Sequence, residues 1–258
     1  MAHSVNLIVK DGIKTQRFVS DAVATCRSVA GHFRMSPKST AILNRLQKQL
    51  RLSDEDESVA PLAVLQDVVT RWNSTYYMIK RLLELRKALT LFQDECPTAI
   101  KLPSVEQWKL LQSALDFLQP FEELTKDLSK GSATVGLMIA MPRMILHTMS
   151  KMKDNGCGSM KKRMCEEMKR RFDDYEQDTN LSVGTFLDPR FKEKFFKSAD
   201  TVKSVEEVLM AANPSLAQQD DAQPPPAKKV RSNAASTSSA STSSASTSSS
   251  SSPPSSSS

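Results

Sequence analysis

The sequence predicts a mainly α-helical fold, and three observations carry that prediction. Only 7 of the 258 residues are glycine, while leucine, methionine, lysine, glutamate and glutamine are common, a composition that favours helices over a glycine-punctuated β fold. Apolar residues recur at three- and four-residue spacing along most of the first 212 positions, the signature of a helix with one buried face. Only residues 62–69, with Leu62, Val64, Val68 and Val69 behind Pro61, read as a strand, and one strand cannot make a sheet alone.

The elements follow in order. Val5, Leu7, Ile8 and Val9 open a first helical segment, and Phe18, Val19, Ala22, Val23, Cys26, Val29, Ala30 and Phe33 continue at helical spacing. Ser36 can accept from orphan amides and Pro37 suits a first helical position, so a helix with Leu43, Leu46 and Leu50 on its apolar stripe starts there and stops at the acidic run of residues 54–57. Trp72, Tyr76, Ile79, Leu83, Leu89 and Phe92 mark the next helix, closed by Pro97 and Pro103. Ser104 and Gln107 have capping-box spacing, followed by Trp108, Leu111, Leu115 and Leu118, with Pro120 kinking or restarting the helix. A methionine-rich helix over residues 135–152 carries Pro142. Gly156 and Gly158 then make the turn before a basic helix starting near Ser159. Asp188 reads as an N-cap with Pro189 as first helical residue, and a short helix covers about residues 202–212. Beyond Asn213 proline, serine, threonine and alanine dominate, with near-identical pentads from Ser236, Ser241 and Ser246; such a segment cannot bury enough apolar surface to offset chain entropy and is expected to be a disordered tail.

A net charge of +6, from 35 cations and 29 anions, permits contact with nucleic acid but is far from the density of a dedicated DNA-binding arm. No apolar run is long enough to span a bilayer and the N-terminus lacks a secretory pattern, so no membrane partner is expected. Cys26, Cys96, Cys157 and Cys165 form no C-x-x-C pair and stand at no zinc-finger spacing from His3, His32 or His147, which reads as reduced thiols.

Three blocks stand out: Ala2-His3-Ser4-Val5-Asn6-Leu7, Asp67-Val68-Val69-Thr70-Arg71-Trp72-Asn73-Ser74-Thr75-Tyr76, and Thr185-Phe186-Leu187-Asp188-Pro189-Arg190-Phe191-Lys192. In content and order they resemble the hAT superfamily of DNA transposases, above all its domesticated zinc-finger BED-type relatives. The resemblance implies a ribonuclease-H-like core interrupted by a large helical insertion. Residues 1–70 would be the rear of that core, with at most one or two strands, 71–212 the insertion, and 213–258 the tail. It implies that His3 is the remnant of a C-x-x-H block whose cysteine would fall just before Met1. The two metal-holding aspartates would lie upstream and the glutamate in a C-terminal section that the serine-rich tail replaces. The expectation is therefore a non-enzyme with no cofactor and no metal site, acting in the nucleus through DNA or protein contacts with a transcription-related role. Neither the BED finger nor the dimerisation segment is recognisable, so stable homodimerisation is not expected. An alternative is a section of a metal-dependent transposase, using magnesium or manganese held by residues outside this chain; another is a truncated product without selected function.

The residues singled out for DNA contact are Arg71 and Trp72, since an indole can stack on an unpaired base while a guanidinium holds a phosphate. The competing reading is that Trp72 packs against the helix it introduces. Lys161, Lys162, Arg163, Lys169, Arg170 and Arg171 form a dense stripe able to meet phosphates; the competing reading is a solvated face with pairs such as Lys162 to Glu166. Asp67, Asp116 and Asp188 read as caps or surface groups. Lys228, Lys229 and Arg231 follow three prolines and fit an import receptor.

Overall fold

A computed structural model gives the structure, which describes residues 1–51, 60–131 and 133–213. Among the described residues there are ten α-helices, two 3-10 turns and no strand. The helices are α1 (Ala2–Thr15), α2 (Arg17–Met35), α3 (Pro37–Arg51), α4 (Trp72–Glu84), α5 (Arg86–Glu95), α6 (Val105–Leu128), α7 (Leu137–Lys151), α8 (Gly158–Phe172), α9 (Thr179–Leu187) and α10 (Ala199–Ala212). The acidic run at 54–57 and the tail lie outside the described residues.

The helix starts obey local chemistry. Ser36 Oγ accepts the Ser39 N–H at 3.2 Å ahead of Pro37, so Ser36 does cap α3. The Ser104–Gln107 box closes in both directions, with the Gln107 N–H on Ser104 Oγ at 3.2 Å and the Ser104 N–H on Gln107 Oε1 at 3.0 Å. Helix α6 runs unbroken through Pro120.

Two features of the first hundred residues differ from the sequence reading of secondary structure. The segment read as one helix from Trp72 to Pro97 breaks at Leu85, which is itself buried; the break sets Leu89 and Phe92 into the core, where Phe92 meets Phe33 edge-on at 4.9 Å. The strand candidate at 62–69 is not a strand. Its polar backbone atoms are met by helix side chains instead: Gln47 Nε2 donates to the Leu62 carbonyl (3.0 Å) while Gln47 Oε1 accepts the Leu62 N–H (2.8 Å), Arg81 Nη1 donates to the Ala63 carbonyl (2.7 Å), and Ser74 Oγ accepts the Val68 N–H (2.8 Å). A glutamine side chain presents the donor and acceptor pair that a neighbouring strand would have offered.

The main core is shared by α1 to α8. Its most extensive helix pair is α1 on α8. The buried face of α1 is Val5, Ile8, Val9 and Gly12, and that of α8 includes Met160, Met164 and Met168 at four-residue spacing. A β-carbon on Gly12 would stand 2.4 Å from Met164 Cγ, so this glycine sets how closely the two helices approach. Gln16 Nε2 fixes the other end of the pair on the Gly156 carbonyl at 3.0 Å. A smaller cluster of Leu137, Ala140 and Phe191 joins α7 to the C-terminal turn.

Gly12→Val should therefore lower unfolding free energy by about 1–3 kcal/mol, the usual range for overpacking a tight contact, and Met164→Ala in the same chain should recover part of it. Urea titration of both variants measures this, and a wild-type midpoint for Gly12→Val would mean that the contact yields freely.

Candidate nucleic-acid interface

Trp72 begins α4, and the helix has no side-chain cap of its own. The missing acceptor comes from α1: Asn6 Oδ1 accepts the Trp72 N–H at 3.1 Å. Two of the three sequence blocks thus meet in space at one hydrogen bond. The indole is 4% exposed and lies edge-on to Tyr76 at 6.3 Å, so it packs against its own helix and cannot receive a stacked base unless the start of α4 unpacks. Arg71, immediately before it, is exposed.

What the sequence reading missed is the groove beside this tryptophan. Its volume is about 410 Å³, and Lys10, Asp11, Lys14, Arg27, Val69 and Trp72 are among its lining residues. Lys10 and Lys14 stand one turn apart on α1, which readily follows from their i, i+4 spacing; neither has an ion-pair partner among the described residues. Arg27 is occupied, with Nε 2.8 Å from Asp67 Oδ2. Asp67 also receives Thr75 Oγ1 at 2.9 Å and is buried, so it is neither a cap nor a surface group but a clamp between α2 and the start of α4.

Half of the basic stripe of α8 converges on one buried carboxylate. Glu167 is 3% exposed and draws Arg163 (3.1 Å), Arg170 (2.6 Å) and Arg171 (3.1 Å) to one carboxylate. The hydrogen bond from Arg170 outweighs burial and, with the other two guanidiniums, holds the Glu167 carboxyl below the usual range. Lys161 donates to the Met152 carbonyl and pairs with Asp154. Lys162 and Lys169 alone of the six are exposed without an ion pair among the described residues; the pair expected from Lys162 to Glu166 does not form. Glu167 was legible in retrospect, because arginines at i−4, i+3 and i+4 surround a position on the methionine face.

Asp188 is not an N-cap. It follows α9 as that helix's C-cap, buried, and its carboxylate receives Arg190 Nε (2.9 Å) and Nη2 (2.7 Å), the Arg190 N–H (3.1 Å) and Thr134 Oγ1 (2.6 Å). These contacts, the Arg190 hydrogen bond first and the Thr134 hydroxyl next, hold its carboxyl far below the ordinary aspartate value. Asp116 is exposed and accepts from Gln112. His3 is exposed on the first turn of α1. Burial pushes the Cys26 thiol up to about 12 and the Cys157 thiol up to about 11, which leaves neither as a thiolate at neutral pH. Among the described residues no three histidine, cysteine or carboxylate side chains gather as metal ligands, and no helix is long and apolar enough to cross a membrane. Lys228, Lys229 and Arg231 lie outside the described residues.

Residues 1–117 match the family described as the ZBED1 RNase-like helical domain. The human Zinc finger BED domain-containing protein 4 is 29% identical over 197 residues, 76% of this chain and 16% of that protein. A Zea mays protein whose name gives it as an AC transposase is 27% identical over 200 residues, 74% of this chain and 23% of its own. The human Zinc finger BED domain-containing protein 6 is 25% identical over 239 residues, 84% of this chain and 23% of its own. The chain thus spans between 16% and 23% of the length of these curated relatives. The resemblance drawn from the three blocks is borne out by these matches, and the helical architecture agrees with it.

The Asp188 clamp has a pH signature. Its folded-state pKa is depressed, so its stabilisation is full above the unfolded value of about 3.9 and is lost as pH falls through the folded value. Asp188→Asn should cost about 1–3 kcal/mol at neutral pH and show a smaller acid loss between pH 5 and 2 than wild type, read as thermal midpoints; equal acid profiles would remove Asp188 from the acid response.

Proposed function

We propose that this chain, a relative of the hAT-derived zinc finger BED domain-containing proteins, is a non-catalytic nuclear protein that contacts DNA phosphates through the groove beside Trp72. The carrying observation is the pair Lys10 and Lys14, unpaired over a groove whose other wall is Trp72 and Val69, with Arg71 exposed next to it in the chain. Free ammoniums over an apolar floor supply a sequence-independent, salt-dependent attraction to phosphate. One relative is by its name a transposase, which supports DNA as the partner. The non-catalytic part of the reading rests on the family resemblance, which puts the metal-holding carboxylates outside the three blocks present here. The basic cluster Lys228, Lys229 and Arg231 supports nuclear import. A nuclear protein partner and a transcription-related role remain extensions of this reading. The enzymatic alternative belongs to a longer protein and predicts magnesium- or manganese-dependent nicking.

Lys10→Gln with Lys14→Gln should weaken binding of a labelled DNA hairpin about tenfold and lower the salt slope by about one per phosphate contact removed; Arg71→Gln should act in the same direction. Unchanged affinity and slope in these variants would exclude the groove. Trp72→Ala, by contrast, should destabilise the fold by about 3–5 kcal/mol as a buried aromatic, and weaken hairpin and duplex alike through unfolding.

A further inference from the structure

We infer that a second groove, between α7 and the 3-10 turn Lys192–Phe195, holds one base and its phosphate from single-stranded nucleic acid. The groove encloses about 450 Å³ and is lined by Arg143, His147, Lys194, Phe195, Phe196 and Lys197 among others. It is built from elements that contribute nothing to the groove beside Trp72, so the two assignments stand or fall separately.

Arg143 supplies the first argument. Its Nη2 donates to Glu176, but its Nη1 is buried with no hydrogen-bond partner. A buried guanidinium N–H without an acceptor is an unmet donor, and a phosphate oxygen is a strong acceptor for it. Glu176 already accepts the Lys197 and Ser198 N–H groups at 2.9 to 3.1 Å besides Arg143 Nη2.

The second argument is charge. Lys197 pairs with Asp173 at 2.7 Å, whereas Lys194 is exposed and has no ion pair among the described residues. Set against Glu176 and Asp173, the three cations leave one positive charge in excess. That suits a single phosphate and not the backbone of a long duplex.

The third argument is aromatic. Phe195 and Phe196 are both half-buried at this groove, and a partly exposed ring is a stacking surface for a base. In a duplex both faces of a base are already stacked, so the rings select an unpaired strand. Their position is fixed by the turn before them: Lys192 has a φ of 48° and its N–H donates to the Asp188 carbonyl at 3.0 Å. A non-glycine residue holds such a conformation where its surroundings fix it, and the Asp188 carbonyl is the contact made here.

The test uses the full 258-residue chain carrying Lys10→Gln, Lys14→Gln and Arg71→Gln, which disarms the first groove, and a fluorescein-labelled oligothymidylate of about twelve nucleotides read by anisotropy. Binding should persist with a shallow salt slope of about −0.7, the value for one phosphate on a single strand. Phe196→Leu should weaken it about tenfold, and the exposed Lys194→Gln should reduce the slope by about 0.7, both with thermal midpoints near that of the parent. Parent-like binding by both variants would overturn the assignment. So would equal affinity for a duplex of the same length, or competition by a phosphoserine peptide as strong as that by unlabelled oligonucleotide.

Discussion

The contact of α1 with α8, closed over Gly12, is the constraint on which the rest of the structure depends. The two helices are separated by more than 140 residues of chain, and the apolar surface they bury together offsets the entropy of closing that loop. Each large side chain taken from water there stabilises by about 1.5–3 kcal/mol, provided that the helices come close enough for Met160, Met164 and Met168 to fill the seam. Once α1 is held in this way, its other faces are also placed. Asn6 reaches the first amide of α4, and Lys10 and Lys14 stand over the groove that Trp72 floors.

Around that seam the joints of the fold are locked by buried carboxylates. Asp67 ties α2 to the start of α4, Glu167 gathers three arginines of its own helix, Glu176 binds Arg143 and the backbone at Ser198, and Asp188 fastens the loop before α7 to the turn after α9. A buried carboxylate is stable only when charged partners and N–H groups surround it, so each one withdraws cations from the surface. The grooves beside Trp72 and Phe196 gain their character from cations left without such a carboxylate, Lys10 and Lys14 in the first and Lys194 in the second.

How much was legible depended on the range of the interaction. Helix positions came through well, because Ser36 with Pro37 and Ser104 with Gln107 act within one turn, and apolar spacing reports a buried face directly. The break at Leu85 did not, since no proline or glycine marks it and only the packing of Phe92 on Phe33 requires it. Residues 62–69 looked like a strand because their side chains suit one; only the position of Gln47 and Arg81 shows that helices satisfy that backbone. Of the candidate site residues, Arg71, Lys162 and Lys169 are available to solvent, while Trp72 is packed inside the fold and the arginines of α8 are paired with Glu167.

The sequence by itself determined the helical class and the starts of α3 and α6, because these rest on short-range hydrogen bonding and on periodicity, and its blocks of residue types read in order pointed to the proteins it resembles. Tertiary structure alone decided which charges are free. Whether an arginine meets a phosphate or a buried glutamate is set by what lies within about 3 Å of it. For Arg27 with Asp67 and Arg143 with Glu176 those neighbours come from positions more than thirty residues away along the chain, and for the three arginines of α8 it is the burial of Glu167 against other helices that gathers them.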